Sequence, residues 1–265
     1  MCLIVFALAC HPRYRLVLAA NRDEYYDRPA EPLDWWHDAS GVLAGRDRLA
    51  GGTWLGVTAG GRLAAVTNYR DPRRHVHGLP SRGNLVAEFL RGEVTTADYS
   101  ALLVREGVRY NGFNLLYGDG GGLHYFSNRG DSWGPVPPGV HCLSNHLLDT
   151  PWPKVQVAKA RLAELLERDR LEPEELVAIL GDRTPFPDED LPDTGVGLER
   201  ERLLSSLFIA GDEYGTRSTT VLLVERAGRT ILLERRHDRD GCGVSSLHLL
   251  DVPVSCHATV SELST

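Results

Sequence analysis

The chain is predicted to fold as an α+β protein in which antiparallel sheets are layered with helices on the outside. Two observations carry this. Strand-like runs come in adjacent pairs joined by turn residues, and the helical runs arrive in blocks between the pairs: strand pairs, helices, strands, helices, a final strand pair. Alternating βαβ units would interleave single strands with single helices instead. The glycine-rich fingerprints of dinucleotide and P-loop sites are also absent, so neither a Rossmann nor an NTP-binding reading has support.

The elements follow in order. Leu3 to Ala9 is apolar and rich in strand formers. After the turn at His11–Pro12 comes "YRLVLAAN", so residues 2–21 read as a hairpin. "YYDRPAEPLDWWHDASG" holds two prolines and no period, and reads as a loop. "GGTWLGVT" and "GRLAAVTN" are two further strands around Gly60–Gly61, a good two-residue hairpin turn. "DPRRHVHGLPSRG" is a basic loop. Helices are expected over 84–91 and 97–106, the second opened by Thr95–Thr96 as caps. "GFNLLYGD", "GLHYFSN" and "GVHCLSN" read as strands. In 154–168, Val155, Ala158, Leu162 and Leu165 fall on one face at the helical period. A helix over 173–181, an acidic proline-rich loop over 182–197, and a hairpin of "RSTTVLLVE" and "RTILLERR" around "RAG" complete the reading. The tail after Gly241 gives no clear pattern.

Composition narrows the function. The 265 residues suit one domain, 1–265, with a core of normal size: 42% are hydrophobic and 25% charged. A net charge of −7 argues against a general nucleic-acid binder, and no run is apolar for long enough to span a membrane. Cys2, Cys10, Cys142, Cys242 and Cys256 are scattered and odd in number, with no metal-type or disulfide-type spacing, so reduced thiols in the cytoplasm are the simplest reading. The histidines show no metal-ligand spacing either, and neither a metal nor a required cofactor is expected.

The first ten residues, "MCLIVFALAC", admit three readings. As a targeting peptide they lack the basic segment that should precede the apolar run. As an ordinary strand they make Cys2 a small hydrophobe. As the head of a processed chain they leave Cys2 with a free α-amine once Met1 is removed. That amine has a pKa of about 7.7–8.0, a competent base for its own thiol. Further on, "NRDE" ends the second strand. Alternation puts Asn21 and Asp23 on one face and Arg22 and Glu24 on the other. Either this is a solvated hairpin end, or an acid stands beside the amine and orients it. Arg73 and Arg74, with Arg70, His75 and His77, form either an exposed loop or a receptor for an anionic ligand.

Eight blocks in order, "MCLIVFA", "NRDE", "GGTWLGV", "AAVTNYR", "SRGNLVAEFL", "GFNLLYG", "LSNHLLDTPWPKV" and "RSTTVLLV", resemble the NRDE family, that of transport and Golgi organisation protein 2. The resemblance runs from Met1 to about residue 235. The family in turn looks like a distant relative of N-terminal-nucleophile cysteine hydrolases such as penicillin V acylase and bile salt hydrolase. That likeness implies an αββα four-layer sandwich and an amide- or acyl-directed hydrolase with Cys2 as nucleophile and Asp23 as the amine-orienting acid. It further implies Asn68 and Asn145 at the oxyanion, and Arg217 as the late arginine. One position departs: those hydrolases place an arginine where this chain has Ala20. The alternative the family suggests is a non-enzymatic carrier of haem or of acyl-lipid or acyl-CoA species. Arg22, Trp54, Arg73 and Arg74 would then bind the amphipathic ligand, with Trp35 and Trp36 as further apolar wall.

Overall fold

The computed structural model describes residues 2–239 and 243–251, with Cys2 described by its backbone alone. The first hairpin pairs β1 (Cys2–Leu8) with β2 (Tyr14–Tyr25). Then come β3 (Ala30–Trp35), β4 (Val42–Asp47), β5 (Leu55–Thr58) and β6 (Leu63–Asn68). Helices α1 (Gly83–Arg91) and α2 (Thr96–Glu106) follow. Next are β7 (Phe113–Gly118), β8 (Leu123–Ser127), β9 (Gly134–Pro135) and β10 (Gly139–Leu143). Three helices, α3 (Pro153–Leu165), α4 (Pro173–Ile179) and α5 (Leu198–Leu203), lead into β11 (Tyr214–Glu225), β12 (Arg229–Arg236) and β13 (Ser245–Asp251).

These strands form two antiparallel sheets. One runs β10-β1-β2-β11-β12-β13, the other β3-β4-β5-β6-β7-β8-β9. Strand alternation divides the apolar residues into three layers of core. Ile4, Phe6, Leu16 and Leu18 point between the sheets to meet Leu43, Leu55, Ala65 and Leu116. Their neighbours Leu3, Val5, Val17 and Ala19 point the other way, onto Val155, Ala158 and Leu162 of α3 and Leu176 of α4. On the far side, Ala64, Val66 and Leu115 pack under Leu85, Phe89 and Leu103 of α1 and α2. The order is therefore helix, sheet, sheet, helix: the expected αββα sandwich. Because the inner strands are covered on both faces, β1, Leu16–Ala20 of β2 and Val221–Val224 of β11 read as unbroken apolar runs. Truncating one such side chain, Leu18 for instance, costs about 2–5 kcal/mol.

Local signals act as expected in several places. The Thr95 hydroxyl accepts the Asp98 N–H (3.1 Å) and caps α2. Pro153 stands in the first turn of α3, where its missing N–H is harmless. One expectation is corrected. The span read as a loop over 25–41 contains β3 at the edge of its sheet, and β2 runs on to Tyr25. The strand is mostly exposed and its register breaks between Glu31 and Asp34, around Pro32. Its one buried residue is Leu33, whose N–H is held by the Glu234 carboxylate of the opposite sheet at 2.8 Å. The tail after Gly241 supplies β13, another edge strand, up to Asp251; Cys242 and Cys256 lie outside the described residues.

Candidate active site

At the end of the sandwich where β1 begins, Cys2 is paired in register with Arg22 of β2, and Asp23 of β2 is paired with Thr216 of β11. Next to these lies a cavity of about 120 Å³ lined by Arg22, Asp23, Trp54 and Asn68, together with Arg28, Asp47, Ser81 and Arg82. Its floor depends on a close approach of two glycines. A Cβ on Gly52 would lie 2.5 Å from the Gly83 carbonyl carbon, and one on Gly83 2.9 Å from the Thr53 oxygen. With no side chain at either position, the first turn of α1 can press against the segment entering β5.

The "NRDE" quartet is split between layers, as alternation requires. Asn21 faces the helices, where its amide donates to the Leu180 and Leu207 carbonyls (3.0 and 2.9 Å) and its oxygen accepts from Thr219. Arg22 faces the other sheet, its guanidinium 4.2 Å from the Trp54 ring centroid. Asp23 is buried, and one carboxylate oxygen accepts the Thr216 hydroxyl at 2.7 Å. Burial pushes its pKa up, while Lys154 and Arg70 pull the other way. Glu24 is half-exposed beside Arg28, 3.7 Å away.

Asn68 ends β6. Asn145, just past β10, donates its amide to the Asn68 carbonyl at 3.0 Å. The Asn145 carbonyl accepts the Arg70 N–H at 2.7 Å, and its side-chain oxygen accepts from the Arg70 guanidinium at 3.4 Å. Thr67 adds a bond to the Ser144 carbonyl at 2.7 Å. These bonds stitch the two sheets together beside the cavity. They also engage one of the two N–H groups of the Asn145 amide, whereas the Asn68 side chain makes no hydrogen bond among the described residues. Of the two asparagines, Asn68 is the freer donor.

Arg217 sits where the register of β11 against β2 shifts between Thr216 and Ser218. A bulge of this kind re-aims a side chain. Its guanidinium donates to the Tyr25 and Arg28 carbonyls and joins Arg22 and Trp54 around a small neighbouring hollow. Arg73 and Arg74 stand exposed on one 3₁₀ turn and do not line the cavity. Trp35 is exposed, and Trp36 packs against the α1 side under Arg46 and Arg91.

A second group at this end involves Arg70, read from the sequence as part of the basic loop but buried in the fold, and Glu201 and Lys154, which the sequence reading does not single out. Arg70 and Glu201 form a buried ion pair (2.5 Å), and Glu201 also accepts from the Thr194 N–H and hydroxyl. Lys154 is buried in the first turn of α3 with its amine on the Leu204 carbonyl at 2.8 Å. Burial, with Arg70 adding to it, lowers its pKa to about 8. A signal was available: Lys154 and Lys159 are the chain's only lysines, and Lys154 adjoins the apolar stripe of α3.

Comparison with known proteins gives a family and a set of relatives. The family model described as Transport and Golgi organisation 2 matches residues 1–239. The chain is 40% identical over 258 residues to the Bos taurus Transport and Golgi organization protein 2 homolog, covering 89% of this chain and 92% of that protein. It is 38% identical over 259 residues to the Homo sapiens homolog, with the same coverages. Among solved structures it is similar to a mutant conjugated bile acid hydrolase from Clostridium perfringens (TM-score 0.48, 10% identity, 95% of this chain and 92% of that one). It is also similar to a Caenorhabditis elegans ortholog of N-acylethanolamine-hydrolyzing acid amidase (TM-score 0.46, 10% identity, 83% of this chain and 92% of that one).

Proposed function

The chain belongs to the Transport and Golgi organisation 2 family, and from that premise we propose that it is a cytoplasmic N-terminal-nucleophile-like hydrolase of amide or acyl C–N bonds. Removal of Met1 frees the Cys2 amine. The amine takes the thiol proton, and the thiolate attacks the substrate carbonyl. The tetrahedral oxyanion is met by the free amide of Asn68, which Asn145 holds in place through the Asn68 carbonyl. As the C–N bond breaks, the amine passes its proton to the leaving nitrogen. Water then cleaves the thioester by the same route in reverse. Arg22 makes no salt bridge among the described residues and receives an anionic group on the substrate.

The observation that carries this reading is the register of Cys2 against Arg22 beside a cavity that also holds Asp23 and Asn68. The test is an acyl-amide panel on protein whose free Cys2 amine is verified by intact mass. Cys2→Ser is expected to abolish turnover while substrate still binds, and Asn68→Ala to lower kcat by about 10²–10³. Processed protein that turns over no member of the panel overturns the proposal.

The second reading, a carrier of haem or acyl-CoA in the same cleft, draws support from Arg22. A guanidinium stacked on an aromatic ring is a ready anion receptor, with no chemistry required. Under that reading Cys2→Ser leaves ligand affinity unchanged and Trp54→Ala weakens it, as titration with haem and with a long-chain acyl-CoA would register.

A further inference from the structure

At the opposite end of the sandwich the two sheets part around a larger, apolar cavity. β1 carries the chain from Cys2 at the candidate site to Leu8 at this cavity, a distance of about 20 Å at the rise of an extended strand. The volume is about 210 Å³. Leu16, Val57, Leu63, Leu222 and Val224 wall it, all members of the core between the sheets, and Leu250 of β13 contributes one side. The cavity at the other end is smaller, about 120 Å³, and lined by charged and polar side chains, and there the polar stitches around Asn145 draw the sheets together.

The mouth has two notable properties. Its rim includes Gly120, Gly121 and Gly122, which are exposed and carry no side chain to cover the opening. It also holds two cations. Arg62 is occupied: its guanidinium donates to the Phe89 and Val94 carbonyls, lies 4.0 Å from the Phe89 ring centroid and feels Asp119. Arg15 is not. It makes one long bond to the Gly120 carbonyl (3.3 Å) and no ion pair among the described residues, and burial disfavours its charge. A half-buried guanidinium without an acid beside an apolar hole is complementary to a negative head on an apolar tail.

We propose that this cavity binds a single-chain anionic amphiphile, a fatty carboxylate, with the alkyl chain between the sheets and the carboxylate on Arg15. An apolar cavity of roughly 150 Å³ already holds benzene, so this one admits an alkyl segment. The class follows from lining and charge: apolar walls from both sheets take an alkyl chain, and the single guanidinium with no acid partner takes one carboxylate. The site is separate from the Cys2 end, so it stands whether or not the hydrolase reading does.

Calorimetric titration of the full chain with dodecanoate, dodecanol and dodecylamine tests it. Dodecanoate is expected to bind tightest. Arg15→Gln should weaken it about tenfold, the scale of one charge-assisted bond, and leave dodecanol unchanged. Val57→Phe or Val224→Phe should block both. Since overpacking a core costs about 1–3 kcal/mol and either variant could misfold, a second measurement uses the wild type. A diazirine-bearing fatty acid should photolabel peptides containing Leu16, Val57–Leu63 or Leu222–Val224, and Cys2→Ser should leave that pattern intact. Absence of dodecanoate binding, equal affinity for dodecylamine, or labelling confined to peptides around Arg22, Trp54 and Asn68 overturns the proposal.

Discussion

The Arg22 guanidinium lies over the Trp54 ring, 4.2 Å from its centroid, so that a charge on β2 rests on an aromatic ring of the segment entering β5 in the other sheet. Arg22 is buried, and Trp54 is half-buried beside it at the wall of the cavity. A double-mutant cycle of Arg22→Met and Trp54→Leu, followed by urea unfolding, should give a coupling energy of about 1–2 kcal/mol, the range for a partly desolvated cation–π pair. A coupling near zero would mean the two sheets are held at this point by packing alone.

Asn145→Ala should destabilise the protein by about 2–3 kcal/mol. The change removes the donor to the part-buried Asn68 carbonyl and one acceptor of the buried Arg70, which keeps Glu201. Asn68→Ala, by contrast, removes a side chain with no hydrogen bond among the described residues and should cost under about 1 kcal/mol. Urea midpoints of the two variants, side by side, give the comparison. Equal losses would contradict the division of roles between the two asparagines.

Lys154 makes stability depend on pH in a definite direction. Its folded pKa of about 8 lies below the ordinary 10.5. Between those values the unfolded chain holds a proton that the folded one lacks, so this group's contribution rises as pH climbs from about 8 to about 10.5. Below pH 8 its burial as a cation is a standing cost. Lys154→Met should remove this rise and stabilise the fold at pH 7 by about 2 kcal/mol, the relief from desolvation less one lost hydrogen bond. Urea midpoints measured from pH 7 to pH 10 would show it as a flatter profile in the variant.

Thiol labelling separates the cysteines. Cys142 is buried, and burial drives its thiol pKa far up, so it should resist iodoacetamide until the chain unfolds. Cys10 is exposed and gives the reference rate. If Cys2 is activated by its own amine, it should label faster than Cys10 at neutral pH in processed protein. Mass-mapped labelling that finds the two rates equal would count against an activated nucleophile.

What the sequence made legible was whatever local pattern and burial on both faces could write into it. β1 and the apolar stretches Leu16–Ala20 of β2 and Val221–Val224 of β11 are continuous because they are covered on each side, and α3 shows its stripe because one face meets a sheet. β3 was invisible for the opposite reason. Only Leu33 is buried, Pro32 breaks its pairing, and what holds it is Glu234, two hundred positions away in the chain. α5 was missed likewise: its one buried residue is Glu201, fixed by Arg70 rather than by an apolar face. At the site, end-of-strand position correctly brought Asp23, Asn68 and Asn145 to one end of the sandwich. The different tasks of the two asparagines depend on which amide is already engaged, and no spacing encodes that.

The alternation within "NRDE" bears on how genetic data from such a chain should be interpreted. Asn21 ties β2 to the helical layer, Arg22 leans on the opposite sheet, Asp23 is anchored to β11, and Glu24 stays local, on the Tyr25 N–H and beside Arg28. Four consecutive letters therefore report on four different mechanical joints. A loss-of-function allele at Asn21 and one at Arg22 are not replicate evidence for a shared active centre. The first is expected to lower the amount of folded protein in the cell, and the second to leave a folded protein with an altered cleft. Scanning the quartet needs abundance measured beside phenotype at every position.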